Sequence, residues 1–235
     1  MKVVREADLP VRTLVGRTAV VFFGDGSGSE VLTHSVAYFD VGHAPGHDHA
    51  SDEVFFVDSG AGEVWLDGVP CAVGPGTLVH TPGNVEHSVQ TRPGGHMRLV
   101  AFASPHMVPG SYPDLPPRSA DLPEATSGGA SQLAIREATD PGTGRGLGVS
   151  IETERIDVAV RRISGGEAVD LAANGRDLVV NILEGTGEVR ADGSLIAISA
   201  GSAGALNAMA WGRTTECASA CTRLNVPPST WQILW

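Results

Sequence analysis

One relation inside the chain limits its fold more than any local pattern does: the second half repeats the turn residues of the first at a fixed distance. A shift of 125 residues carries Gly60 onto Gly185, Gly62 onto Gly187 and Glu63-Val64 onto Glu188-Val189. It also carries Asp67-Gly68 onto Asp192-Gly193, Ala72 onto Ala197 and Gly76 onto Gly201. Turn glycines kept in register over such a length mark an internal duplication. Between them lie short valine-rich alternating runs bounded by Gly, Pro and Asp-Gly, the pattern of strands, and no long stretch has apolar residues at helical spacing. The 30 glycines and 15 prolines among 235 residues agree with many turns. The expectation is an all-β chain of two related units, each large enough to bury a core of its own.

The boundaries follow from composition. Between Ser104 and Ala130 the prolines at 105, 109, 113, 116, 117 and 123 leave no periodic apolar pattern, which reads as a semi-rigid linker. This divides the chain into an N-terminal unit at 1–106, a linker at 107–130 and a C-terminal unit at 131–235. In the first unit, Leu14-Val15, Thr18 to Phe23, Val36 to Val41 and Arg98 to Phe102 read as strands. Glu53 to Val57 and Glu63 to Leu66 flank Ser59-Gly60-Ala61-Gly62 as an expected hairpin, and Asp67-Gly68 is a strong two-residue turn signal.

Charge and cysteine usage narrow the partners. A formal charge of −11 without a Lys/Arg cluster argues against nucleic acid or an anionic membrane surface, both of which need concentrated positive charge. The start of the chain lacks a signal-peptide core and no segment reaches the ~20 apolar residues of a membrane span, so a cytoplasmic protein is expected. Cys71, Cys217 and Cys221 form no Cys-x-x-Cys pair, which suggests reduced, structural thiols.

The candidate chemistry gathers in His47-Asp48-His49-Ala50-Ser51-Asp52-Glu53. Imidazoles two apart on a strand share a face, so His47 and His49 can converge on one ion. From His49 to Glu53 an extended chain would run roughly 13 Å at ~3.3 Å per residue, so Ala50-Ser51-Asp52 must turn the chain back and Glu53 must open a second strand beside the first. Downstream, Pro82 and Gly83 suit the centre of a type II turn, and His87 supplies a fourth ligand candidate.

These spacings, His-x-His followed by Glu53 and Gly60, then Gly76, Pro82 and His87, resemble the two sequence motifs of the cupin superfamily. Three positions depart from its pattern: Gly42 stands one residue closer to His47, Asn84 replaces a glycine, and Thr91 replaces an asparagine. Asn84 is a mild change, since Asn tolerates left-handed backbone geometry. The resemblance implies two jelly-roll barrels in one chain, a bicupin, with His47, His49, Glu53 and His87 as metal ligands. At the 125-residue shift those four fall on Ala172, Asn174, Leu178 and Gly212, and no histidine follows His106. One divalent transition metal per chain is therefore expected, in the first barrel alone.

Three imidazoles and a carboxylate leave an octahedral ion with one or two open positions. Iron(II) is the first choice of metal, with manganese, nickel, copper, cobalt and zinc as alternatives. The leading functional reading is an oxygenase acting on a small chelating organic molecule. The alternatives are a metal-dependent isomerase or lyase of a keto acid or sugar, and a non-catalytic small-molecule-binding module. Phe55 and Val57 share parity with Glu53 and are expected to line the substrate cavity. Tyr38 and His43 are further substrate-side candidates, and His80 lies nearby. His34, His96 and His106 are read as surface residues. Trp211, Trp231 and Trp235 are expected to pack between barrels or between subunits of a homodimer, with the second barrel structural.

Overall fold

The computed structural model describes residues 2–24, 29, 31–40, 43–91, 94–107, 136–137, 149–163, 168–171, 177–191, 194–206, 222–225 and 231–234. The linker expected at 107–130 lies outside them apart from Met107, as do Trp211, Trp235, Cys217 and Cys221. The first half contributes β1 (Lys2–Arg5), β2 (Val11–Leu14), β3 (Arg17–Phe23), β4 (Thr33–Phe39), β5 (His43–His47) and β6 (Asp52–Gly60). It continues with β7 (Gly62–Leu66), β8 (Val69–Val73), β9 (Thr77–Thr81), β10 (His87–Thr91) and β11 (Met97–Ser104), after which β12 (Arg136–Glu137) opens the second half. There follow β13 (Val149–Glu152), β14 (Asp157–Ile163), β15 (Ala168–Leu171), β16 (Leu178–Glu184), β17 (Thr186–Ala191), β18 (Ser194–Ser199), β19 (Ser202–Leu206), β20 (Thr222–Asn225) and β21 (Trp231–Leu234). The only helical turn among the described residues is a three-residue 3₁₀ segment at Glu6–Asp8.

The duplication read from the turns holds in the strand pairing. A sheet ordered β12-β9-β6-β11-β4-β3-β2 and a second ordered β5-β10-β7-β8 form the first half. In the second half the same sequence of partners recurs as β1-β19-β16-β21-β14-β13 and β15-β20-β17-β18. Register agrees at 125 where β6 meets β9 and β16 meets β19: Glu53 faces Thr81, and Leu178 faces Leu206. Further along the offset widens, since Glu63 faces Gln90 whereas Glu188 faces Asn225, so the position of His87 corresponds to Thr222 at the start of β20 and not to Gly212 as the fixed shift implied. Gly76 donates to the carbonyl of Val57, and Gly201 to that of Ile182. All four repeated positions Gly60, Gly76, Gly185 and Gly201 take positive φ, which a side chain would oppose. At Gly60 a Cβ would also stand 1.8 Å from the carbonyl oxygen of His96, so the glycine is required twice over.

Each half lends the other an edge strand. β1 pairs with β19, and β12 pairs with β9. The reciprocal exchange covers two strands whose unpaired N–H and C=O groups would otherwise form open sheet edges.

Alternation on β6 then divides the interior in two. Val54 and Phe56 point away from Glu53 and join Phe22, Phe102, Val158 and Val179 in a core between the large sheets of the two halves. Phe55 and Val57 face the other way and pack with Val64, Leu66, Val79 and Leu99 between the seven-stranded and four-stranded sheets of the first half. Burial on both faces explains why this strand reads Val-Phe-Phe-Val without a polar position.

Three local expectations are corrected. β6 and β7 do not form a hairpin: the chain leaves the seven-stranded sheet at Gly60 and enters the four-stranded one at Gly62. For the same reason Glu53 does not open a strand paired with that of His47, because β5 and β6 lie in different sheets. The turn before His87 closes from Val85 N–H to the Pro82 carbonyl, so its central residues are Gly83 and Asn84 rather than Pro82 and Gly83. Asn84 takes the positive φ, +63°. By contrast Asp67 and Gly68 both have positive φ between the paired residues Leu66 and Val69, the geometry of a type I′ turn.

Candidate metal centre

Two sheets deliver the four candidate ligands to one place. His47 ends β5 directly opposite His87, which begins β10. Glu53 projects inward from the start of β6, and His49 stands on the loop that crosses between the sheets. That loop is held by the Pro82–Val85 turn: Asn84 N–H donates to the His49 carbonyl at 2.7 Å, and Gly83 N–H donates to Asp52 Oδ1 at 2.9 Å. A Cβ on residue 83 would sit 2.6 Å from the Ala50 carbonyl oxygen, so glycine lets turn and loop approach.

The three imidazoles present the same nitrogen to the interior. Nδ1 of His47 bonds the Pro45 carbonyl at 2.8 Å, that of His49 the Ser51 carbonyl at 2.8 Å, and that of His87 the Val85 carbonyl at 2.9 Å. A carbonyl can only accept, so each Nδ1 carries the proton and each neutral ring turns an Nε2 lone pair inward. One nitrogen from each ring lies within 4.8 Å of the others. Glu53 Oε2 is 3.5 Å from His49 Nε2 and 3.6 Å from His87 Nε2. The Nε2 atom of His87 is buried and has no hydrogen-bond partner. Lone pairs and a carboxylate converging in a buried space form a donor set for a divalent transition ion, fixed in orientation by main-chain carbonyls.

Electrostatics supports a neutral His47 and an ionised Glu53. Burial, reinforced by the charge of His87, pushes His47 down to about 3. The positive charge of Arg17 acts in the same direction. Burial also lowers His49, but the hydrogen bond and charge of Glu53 outweigh it and the net shift is upward. For Glu53 burial acts to raise the pKa, and the neighbouring His49 and His87 rings reverse that, holding it below the usual carboxylate range.

Beside the cluster lies a cavity of about 50 Å³ that His47, Glu53, His87 and Phe55 line. Small residues, Ala19, Ser35, Ala37 and Ala101, line it beside the bulkier Phe39 and Leu99, and Arg17 also lines it. The space exists because the small positions lack the bulk of the leucine and valine that fill the rest of the interior.

The other candidates fall elsewhere. Val57 is buried in the same apolar cluster without lining the cavity. Tyr38, expected on the substrate side, has the opposite parity to Ala37 and Phe39. Its hydroxyl donates to Glu6 and accepts from Arg98 Nε at 3.2 Å. Arg98 in turn pairs with Glu6 and Asp58, each at 2.7 Å. The side chain of His43 lies outside the described residues. His80 does not line the cavity; its Nε2 is 3.7 Å from Asp52 Oδ2. His96 is exposed as expected. His106 is half-buried, bonding Thr33 Oγ1 and the Ser29 carbonyl, and His34 is wholly buried. Neither is a surface residue. Sequence reasoning missed Arg17, whose only signal was its place two residues before Ala19 on an inward-facing parity.

Residues 37–102 match the cupin domain family. No curated protein matches the chain. Among solved structures, a variant of Bacillus subtilis oxalate decarboxylase superposes with a TM-score of 0.71 at 16% identity, covering 100% of this chain and 76% of that one. A Lactobacillus farciminis oxalate decarboxylase, solved as a formate complex, superposes at 0.69 and 14% identity, covering 99% and 84%. A cupin 2 conserved barrel domain protein from Leptotrichia buccalis gives 0.58 at 13% identity, covering 99% and 94%. The fold is that of an all-β cupin, and at these identities the likeness is one of fold.

Proposed function

We propose that this chain is a metal-dependent bicupin enzyme acting on a small organic molecule, and that it is an oxygenase. The observation carrying the metal is the pinning of three Nδ1 atoms by main-chain carbonyls, which commits three Nε2 lone pairs and one carboxylate to a single buried point. His47, His49, Glu53 and His87 would hold one divalent ion, iron(II) before manganese, nickel, copper, cobalt or zinc. When bound, iron would supply open coordination positions and an accessible second oxidation state.

The choice of oxygenase rests on what surrounds those ligands. Among the described residues, the cavity lining holds no acid or base apart from the candidate ligands and Arg17. Isomerase chemistry needs a positioned proton carrier; substrate oxidation beside a bound ion does not. Phe55 and the alanines make the lining largely apolar, and Glu53 would lower the net charge of a metal held there. The second half, with Leu178 at the position of Glu53, serves as structural support. The charge of −11 and the lack of a Cys-x-x-Cys motif in the sequence lead us to propose a cytoplasmic protein whose partners are small molecules. No helix among the described residues is long and apolar enough to cross a membrane.

A second reading, a lyase that decarboxylates a small acid, is favoured by the fold shared with two oxalate decarboxylases. The two readings differ in stoichiometry. Iron-loaded protein supplied with a panel of small oxo and hydroxy acids should consume about one O₂ per substrate lost, and the zinc-loaded form should be inactive. Release of CO₂ without net O₂ uptake would establish the lyase instead.

A further inference from the structure

We propose that β18 is the edge through which two copies of this chain associate, by antiparallel main-chain pairing across a two-fold axis. This surface does not depend on the metal reading above.

The sheet edges are guarded unequally. An edge strand presents unpaired N–H and C=O groups, and a charge or a proline on it keeps other strands away. Among the described residues the four sheets end in eight strands. Of these, β1, β2, β12, β13 and β15 each carry a charged residue, and β5 and β8 each carry a proline. β18 reads Ser-Leu-Ile-Ala-Ile-Ser and has neither.

Equivalent positions in the two halves sharpen the contrast. Leu66 pairs with Val69 where β7 meets β8, and Ala191 pairs with Ser194 in the same register where β17 meets β18. Main-chain bonds alternate along an antiparallel pair, and the pair that closes a two-residue connection is bonded, so the next residue on the outer strand turns its N–H and C=O away. In β8 that residue is Pro70, which has no N–H to offer. In β18 it is Leu195, 49% exposed, with Ala197 exposed two residues on. A position closed by proline in one half is open and apolar in the other.

Charge selects the occupant. Arg190 faces Leu195 and Glu188 faces Ala197 across β17 and β18, and both charged residues are exposed. When Leu195 pairs with Ala197 of a second copy, each row across the junction runs Arg190, Leu195, Ala197, Glu188, with a cation at one end and a carboxylate at the other. The row ends stand about 14 Å apart at ~4.8 Å per strand, a gap that long side chains narrow. Setting Ala197 against itself would align two Glu188 residues instead. Two-fold pairing consumes both edges, so assembly stops at a dimer. An edge of six residues makes a small contact, so the dimer is reversible.

The test is sedimentation of the full chain over a wide range of protein concentration, with hydrogen exchange read at the β18 amides. Expected is a mass that rises from 24.3 kDa towards twice that value with concentration. The rise should be steeper in high salt, which screens the repulsion between two chains of charge −11. Leu195→Pro, which copies the first half, and Ala197→Lys should each weaken association at least tenfold. Val69→Lys, at an exposed position on the guarded edge, should leave it unchanged. The Leu195 and Ala197 amides should exchange slowly only at concentrations where the dimer forms. A chain that stays at 24.3 kDa throughout, a mass that climbs past the dimer, or a dimer indifferent to both β18 variants overturns the proposal. Should Leu195→Pro fail to fold, Ala197→Lys and the exchange rates decide the matter.

Discussion

His34 shows how a single side chain can lie beyond the reach of pattern. In Thr33-His34-Ser35 nothing marks it as internal, yet it is fully buried between Phe22 and Phe102, with ring centroids 4.8 and 4.5 Å away. Its Nδ1–H donates to the Ala101 carbonyl at 3.1 Å, and Nε2 accepts from Asn181 Nδ2 at 2.9 Å, a bond between the two halves. Asn181 occupies the register position that Phe56 holds in the first half, and only the assembled core reveals that a polar pair replaces an apolar one there. Burial pushes the pKa of His34 down to about 3. The folded protein therefore keeps this ring neutral at pH values where the unfolded chain protonates it. Stability from this group is complete above about 6.5 and is lost as pH falls toward 3, by on the order of 5 kcal/mol in all. Urea unfolding from pH 7 to pH 4 should show the advantage of wild type over His34→Gln shrinking as pH falls. A gap independent of pH would contradict the assignment. The convergence of the candidate ligands was legible at this scale for the opposite reason. Their spacing is itself the signal, because a donor set must be assembled from fixed positions, whereas a buried histidine needs only neighbours.

Loops and turns carry the site at the scale of elements. The crossing loop from His47 to Asp52 is held on one side by the Gly83-Asn84 turn, and on the other by Arg155 from the second half, whose guanidinium donates to the Ala50 carbonyl at 2.8 Å and stands 3.8 Å from Asp52 Oδ1. Arg155 touches no candidate ligand, so its removal should act through the position of His49 and Glu53. Arg155→Ala is expected to keep its strand content and lose severalfold in metal affinity, measured by competition with a chelator. The exposed guanidinium adds little to stability by itself, and a large fall in unfolding midpoint with unaltered metal affinity would refute the positioning role. Most strands were legible as strands, although Val15 falls in a turn and His49, read on one strand with His47, lies beyond the end of β5. Asp67-Gly68 correctly marked a two-residue turn, because left-handed geometry at two adjacent residues is a local demand that the sequence must meet. Sheet membership was not legible. Alternation in β6 and β7 states that both are buried, and it is silent on whether the chain folds back on itself or crosses to the facing sheet at Gly60.

At the scale of the whole molecule the duplication explains both what is shared and what is lost. Register preserved at 125 residues keeps the turns and the β6/β9 and β7/β8 ladders in their counterparts, and the sequence of the second half has no histidine with which to repeat the candidate site. The exchange of β1 and β12 between the halves could not be read from composition, since an edge strand carries the same alternation whichever sheet it joins. It makes the second half part of the architecture that supports the first. The account rests on one claim, that four residues of the first half form a single site for one divalent ion. The direct measurement is elemental analysis of the full chain loaded anaerobically with iron(II) and desalted, beside His87→Ala treated identically and checked for retained strand content. The account predicts about one ion per chain in the wild type and almost none in the variant. Two ions per chain, or equal metal in both proteins, would contradict it.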